Sequence, residues 1–175
     1  MKRLVVLTVF FLFFASGCLS VEIAKDGVAV AEIVLPEKPS KTEVFAADEL
    51  RRYVEKISSA EFKVISEGNA KDSVKIFIGK CSASENLRNL LIKNEPDSFV
   101  VKVVNGNLYL FGATDRATLY AVYDFLEDDL GCRWLAPGPQ WEEIPRKNSI
   151  VVNDLERIES PDMRYRYMRF TVIAE

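Results

Sequence analysis

Carboxylates offer the first candidate chemistry in this sequence. Glu127, Asp128 and Asp129 stand together, and Glu142 and Glu143 form a second group. Two carboxyl groups held at a defined separation can act from either side of a glycosidic bond, one as acid and the other as base or nucleophile. Consecutive residues of a helix point in different directions, however, so the acids at 127–129 do not face one another. A helix C-terminus does not favour them either, because its dipole is negative there. They read as solvated carboxylates partly offset by Arg133 or Arg116, and Glu142 and Glu143 as surface residues of a loop. No catalytic residue is assigned. The sequence also holds no histidine, which excludes Ser-His-Asp triads, Cys-His dyads, HExxH zinc sites and imidazole bases.

Arg133, Trp134 and Trp141 raise a different chemistry. A tryptophan in a Pro/Gly-rich loop offers an apolar face to the C–H side of a sugar ring, and an arginine can grip a uronate carboxylate with a two-pronged fork. Against this stands packing of Trp134 within the protein, which carries more weight. Tyr120, Tyr123 and Phe125 have helical spacing and read as core before they read as a sugar platform. No cofactor or metal is expected. The "GATDRA" stretch lacks the glycine spacing of a nucleotide site, Asn105-Gly106 is a turn, and the acids are not in calcium-loop order. Cys81 and Cys132 allow one disulfide in an oxidising compartment; the alternative is two small buried hydrophobes.

These residues need a scaffold, and composition sets its size. The chain has 175 residues, 49% hydrophobic and 28% charged, enough for one core of ordinary size. Its formal charge is -3, with basic residues spread along it, so it lacks the footprint of a nucleic-acid binder. The first residues are a targeting segment rather than fold. Lys2 and Arg3 precede an apolar run, Leu4 to Phe14, and Ala15, Ser16 and Gly17 stand before Cys18. The run is shorter than the ~20 residues a spanning helix needs. "ASGC" resembles a bacterial lipobox, which implies acylation of Cys18 after removal of residues 1–17; ordinary secretion is the alternative.

Periodicity predicts the elements. "VEIAKDGVAVAEIVLP" alternates around Lys25-Asp26-Gly27 and reads as a hairpin. Ser40 and Glu43 form a capping box for an amphipathic helix with Val44, Ala47, Leu50, Tyr53, Val54 and Ile57 on its buried stripe. Strands follow at Phe62 to Ile65 and Val74 to Ile78, then a short helix over Glu85 to Lys93. The clearest local signal is a hairpin turning at Asn105-Gly106. Thr114 or Asp115 then caps a second helix, which Gly131 ends. Strand pieces at Cys132 to Leu135 and Ser149 to Val152 complete the set. The order predicts an α+β fold, a mixed β-sheet with helices packed on it.

"AADELRRYVEKISSAEFKV", "KIFIG", "DSFVVKVVNGNLYLFGATDRATLYAVYDFLEDDLGCRWLAPG", "EEIP" and "SPDMRYR", in that order, resemble the N-terminal non-catalytic domain of α-glucuronidases and β-N-acetylhexosaminidases. The likeness extends to bacterial exported proteins with a glycosidase-like barrel. It implies an accessory domain, residues 18–159, that packs on a catalytic (β/α)₈ barrel of the same full-length chain and supplies no catalytic carboxylate. Residues 160–175 would then begin that barrel. It leaves Arg133, Trp134 and Trp141 for sugar contact or barrel packing, and carbohydrate as a partner. Membrane contact would come only through the lipid anchor, at a periplasmic or cell-surface location. The second reading is a free-standing surface lipoprotein that binds carbohydrate or a protein partner.

Overall fold

A computed structural model describes residues 20–70, 73–93 and 95–162. The targeting segment with Cys18, and most of the expected start of a following domain, lie outside these residues. Strand β1 (Val21–Lys25) turns at Asp26 and Gly27, both at positive φ (49° and 78°), into β2 (Val28–Ala29). The predicted hairpin therefore forms, but only over this short stretch. After Val30 the chain leaves that sheet, and β3 (Ala31–Leu35) enters a larger one.

Helix α1 (Lys41–Ser58) starts as its sequence dictates. The Glu43 N–H donates to Ser40 Oγ (3.1 Å), and the Ser40 N–H donates to Glu43 Oε2 (2.8 Å). Its buried stripe is Ala46, Ala47, Leu50, Tyr53, Val54 and Ile57. Val44 lies off the stripe and is exposed. Next come β4 (Val64–Ser66), β5 (Val74–Ile78) and a 3₁₀ helix over Ser82–Leu90 where a short helix was predicted. Leu87 and Leu90 are three apart, and a 3.0-residue turn stacks them as well as an α-turn would. The Ser84 hydroxyl tightens the entry by donating its one proton to the Cys81 carbonyl (2.7 Å), with the Gly79 carbonyl also in reach at 3.1 Å.

The hairpin of β6 (Phe99–Val104) and β7 (Asn107–Gly112) turns at Asn105-Gly106, both at positive φ. Thr114 caps α2 (Asp115–Asp124) by accepting from the Ala117 N–H. The helix ends in a π-turn over Phe125–Asp129, with Leu130 N–H bonded to Phe125 O, and Gly131 follows at φ 85°. The remaining strands are β8 (Arg133–Trp134), β9 (Glu142–Glu143), β10 (Ile150–Val152) and β11 (Glu156–Glu159).

Among the described residues the strands form a six-stranded sheet ordered β11-β6-β7-β5-β3-β4, a three-stranded sheet β10-β1-β2, and the β8-β9 pair. In the large sheet β4, β3, β5 and β7 run parallel, while β6 and β11 run antiparallel to their neighbours. This is the mixed sheet of an α+β fold. Side-chain alternation splits the core in two. Ile33, Ile76, Ile78, Leu108 and Leu110 face α1 and α2. Val34, Phe77, Val100, Tyr109 and Phe111 face the other way, toward the leucines of the 3₁₀ helix.

That split rules out the possible disulfide and leaves the other reading, two small buried hydrophobes. Cys132 belongs to the helix-side core and Cys81 to the opposite one, so the sheet stands between them, and both are free and buried. Burial pushes the Cys81 thiol up to about 12 and the Cys132 thiol up to about 11. Both behave as small hydrophobes rather than nucleophiles.

Candidate functional site

The β8-β9 hairpin lies against α1 and α2 and brings aromatic and charged side chains to one point. Tyr53 is at its centre. Its hydroxyl donates to Glu142 Oε1 (2.8 Å) and accepts from Trp134 Nε1 (2.8 Å) and Arg52 Nη2 (3.0 Å). A phenol has one donor and two acceptor sites, so its capacity is filled. The Trp134 ring stands edge-on to Tyr53 and Tyr123, with centroids 5.2 Å and 5.4 Å away. The Arg52 guanidinium and Lys56 ammonium lie 4.7 Å and 5.0 Å from the Tyr53 ring centroid. The Tyr123 hydroxyl and Arg52 both donate to Glu49 Oε2 (2.7 Å and 2.9 Å). Burial raises both tyrosine hydroxyls above the ordinary range, so both remain protonated donors at neutral pH.

Glu142 was expected at the surface of a loop. Its side chain is instead 14% exposed, held 2.8 Å from Lys56 Nζ as well as by Tyr53. The Lys56 hydrogen bond, followed by that of Tyr53, holds its carboxyl below the usual glutamate range. A depressed folded-state pKa contributes stability above the unfolded value of about 4.3, which is lost as pH falls through the lower folded value. Glu142→Gln should therefore cost roughly 1–2 kcal/mol at neutral pH, modest because Lys56 is partly solvated. In urea titrations the gap to wild type should close as pH drops below about 4. A gap unchanged at about pH 3 would remove the carboxylate charge from this account.

The other sequence candidates separate. Arg133 caps the end of α2: Nη1 donates to Glu127 O (2.6 Å) and Cys132 O (2.9 Å) and lies 3.7 Å from the Glu127 carboxylate. Asp129 meets neither Arg133 nor Arg116, since Arg116 binds Asp97. Asp129 and Asp124 both bind Arg157 Nη2, at 2.6 Å and 2.7 Å. The π-turn brings these two acids together, because five residues of regular α-helix would turn them well apart. Asp128 and Glu143 are exposed. Trp134 packs inside the domain. Trp141, 49% exposed, and Leu135, 62% exposed, remain on the surface of the hairpin loop. Among the described residues no group of three potential ligands could hold a metal, and no helix is long and apolar enough to cross a membrane.

Residues 22–125 match the family described as glycosyl hydrolase family 67 N-terminus. The chain belongs to this family. Among solved structures, the family 67 N-terminal domain is similar to BtGH115A, a family GH115 4-O-methyl-α-glucuronidase with specificity for decorated arabinogalactans. The two share 18% identity and a TM-score of 0.56 over 83% of this chain and 19% of that one. A likeness at this identity establishes the shared fold. A second structure, CpGH84D, is similar at 14% identity and a TM-score of 0.44, over 77% of this chain and 21% of that one. No curated protein matches the sequence. The domain thus spans about a fifth of the solved chains it resembles. The family match ends at Phe125; Glu49, Arg52, Tyr53, Lys56 and Tyr123 lie inside it, while Arg133, Trp134, Trp141 and Glu142 lie beyond.

Sequence reasoning found Tyr53 and Tyr123 only as core positions and missed Lys56 and Glu142 as partners. The signal was thin. An α1 helix that buries one tyrosine while lining its flank with Glu49, Arg52 and Lys56 points to a satisfied hydroxyl, but nothing local names Trp134 as its donor.

Proposed function

We propose that this chain is the non-catalytic accessory domain of an exported, lipid-anchored glycoside hydrolase that degrades polysaccharide or glycan fragments. The observation that carries the reading is membership of the glycosyl hydrolase family 67 N-terminus over residues 22–125. The carboxylates agree with a scaffold role. Glu43 closes the α1 capping box and accepts from the Lys80 N–H, Glu49 and Glu142 hold the aromatic cluster, and Asp124 and Asp129 share one arginine. Among the described residues each of these carboxylates is bound to donors of the scaffold itself, which is a structural engagement and not the pair of acids across a sugar that hydrolysis of a glycosidic bond uses. The likeness of the fold to that of an α-glucuronidase supports a uronic-acid-releasing partner domain; that this domain is a barrel beginning near Ser160 rests on the resemblance carried by "SPDMRYR". Export and anchoring rest on the apolar run before Cys18.

Expression of the whole reading frame tests this. The product should release uronic acid from decorated arabinogalactan and partition into the membrane fraction, and Cys18→Ala should abolish labelling by a fatty-acid analogue. Residues 19–175 alone should show no turnover of aryl glycosides. Turnover by that chain, lost on changing Glu127 or Glu143, would overturn the non-catalytic role. Equal labelling of wild type and Cys18→Ala would end the anchor.

A further inference from the structure

We infer that an apolar cup at one end of the large sheet is the seat of the segment that follows Asp162. The cup has a volume of about 340 Å³ and is lined by Ile92, Glu95, Pro96, Ala113 and Thr114. Ile92 is 42% exposed, a large hydrophobic side chain left in water. The walls are fixed. The Ile92 N–H donates to Ser98 Oγ (2.9 Å), the Ser98 N–H to Glu95 O (3.1 Å), the Ala113 N–H to Ser98 O (2.9 Å) and the Thr114 hydroxyl to Pro96 O (2.9 Å). These bonds tie the loop before β6 to the loop after β7, so the cup is formed before anything enters it and loses little entropy on being filled.

The occupant follows from where the chain leaves the sheet. Strand β11 runs antiparallel to β6, with Glu156 opposite Lys102 and Glu159 opposite Phe99, the first residue of β6. Ser160 therefore comes out beside Ser98, whose carbonyl is bonded to Ala113 on its other side. Two strand spacings, about 10 Å, separate Ser160 from the cup wall at Ala113. The exit point is held in place, because Arg157 binds Asp124 (2.7 Å) and Asp129 (2.6 Å). Met163 to Tyr167 alone reach about 16 Å when extended, so the first residues past Asp162 can enter the cup.

Their chemistry fits the lining. Met163, Tyr165 and Tyr167 alternate with Arg164 and Arg166, so an extended stretch carries an apolar row and a basic row. Ile92, Pro96 and Ala113 offer the apolar row a surface to bury. Glu95 lines the same cup and, among the described residues, enters no ion pair, which leaves its carboxylate for Arg164 or Arg166. The exposed Val28 is no rival. It precedes β3, and because β3, β5 and β7 run parallel it lies at the opposite end of the sheet from the cup, which is past the end of β7.

The inference holds whether or not a catalytic domain follows, so its failure would leave the hydrolase reading standing. The test is cross-linking of residues 19–175, in which Cys81 and Cys132 are buried and stay out of the exchange. Ile92→Cys is combined in turn with Met163→Cys, Tyr165→Cys and Tyr167→Cys, and oxidised with glutathione disulfide. At least one pair should close its internal disulfide about ten times faster than the same partner combined with Val28→Cys. In the chain without added cysteines, Ile92→Asp should speed tryptic cleavage after Arg164 and Arg166 about tenfold, and Ile92→Val should leave it near wild type. Neither change should move the melting temperature, since Ile92 is exposed. Cross-linking that Val28→Cys matches, or cleavage that Ile92→Asp leaves unchanged, would overturn the inference. So would a disulfide dimer of Ile92→Cys that forms as fast as the internal bond, which would give the cup to a second copy of the chain.

Discussion

Replacing Tyr53 by alanine should cost about 4 kcal/mol, within the usual range for removing a buried aromatic side chain. For a domain of this size that is a fall of roughly 8–16 °C in melting temperature. The residue is 1% exposed and belongs to the helix-side core, so its ring leaves a cavity between α1 and the β8-β9 hairpin. Its hydroxyl also accepts from Trp134 and Arg52 and donates to Glu142. Tyr53→Phe separates the two contributions. It keeps the ring but leaves the Trp134 N–H and one Glu142 oxygen without their partner, which should cost roughly 1–2 kcal/mol. Thermal unfolding gives both numbers, and Trp134 fluorescence reports whether the hairpin has detached. If Tyr53→Phe is as stable as wild type, the hydroxyl does not anchor the hairpin through Trp134 and Glu142.

The legible features were those in which residues close in sequence satisfy one another. The Ser40–Glu43 box, the Asn105-Gly106 turn and the Thr114 cap are each complete within a few residues, and each formed as read. The α+β class followed, since those elements can bury their faces in few ways. Glu142 shows where this reading stops. Its partners Tyr53 and Lys56 stand 89 and 86 residues away, and a glutamate between a tryptophan and another glutamate carries no mark of what it will meet. Asp129 failed for a second reason. Its pairing with Arg157 needs a π-turn, and periodicity of 3.6 assumes a regular helix up to the terminal glycine. Cys81 and Cys132 stayed open between a disulfide and two small buried hydrophobes for a third reason, because which side of the sheet each occupies is set by the fold and is not contained in their spacing; the second reading is the one that formed. The Arg133, Trp134 and Trp141 group was found as a set, but only the fold could show which members were already bonded.

Gly112→Ala should be among the most disruptive single changes in the domain, costing roughly 3 kcal/mol or more, the upper end for overpacking. A Cβ built there would lie 2.4 Å from both the carbonyl carbon and the Cβ of Ala117, and 2.5 Å from the Thr118 nitrogen. Two of those three atoms are helix backbone, so no rotamer change relieves the contact. The first turn of α2 would have to lift off the end of β7. That movement would also break the Gly112 N–H bond to Thr118 Oγ1 (3.1 Å) and disturb the pairing of Gly112 with Phe99. Gly106→Ala is the informative control. Gly106 needs positive φ (74°) but has nothing within 4 Å of a built Cβ, so alanine there should cost only about 1 kcal/mol through backbone strain. Urea unfolding of the two variants should place Gly112→Ala well below Gly106→Ala in stability. Equal losses would mean that α2 yields easily and that close packing is not what the glycine provides. The contrast also fixes the chemistry of the "GATDRA" stretch. A glycine just before a helix N-terminus invites comparison with phosphate loops, where the absent side chain makes room for an anion. Here the space is filled by Ala117 and Thr118, so Gly112 exists to let the helix press against the strand.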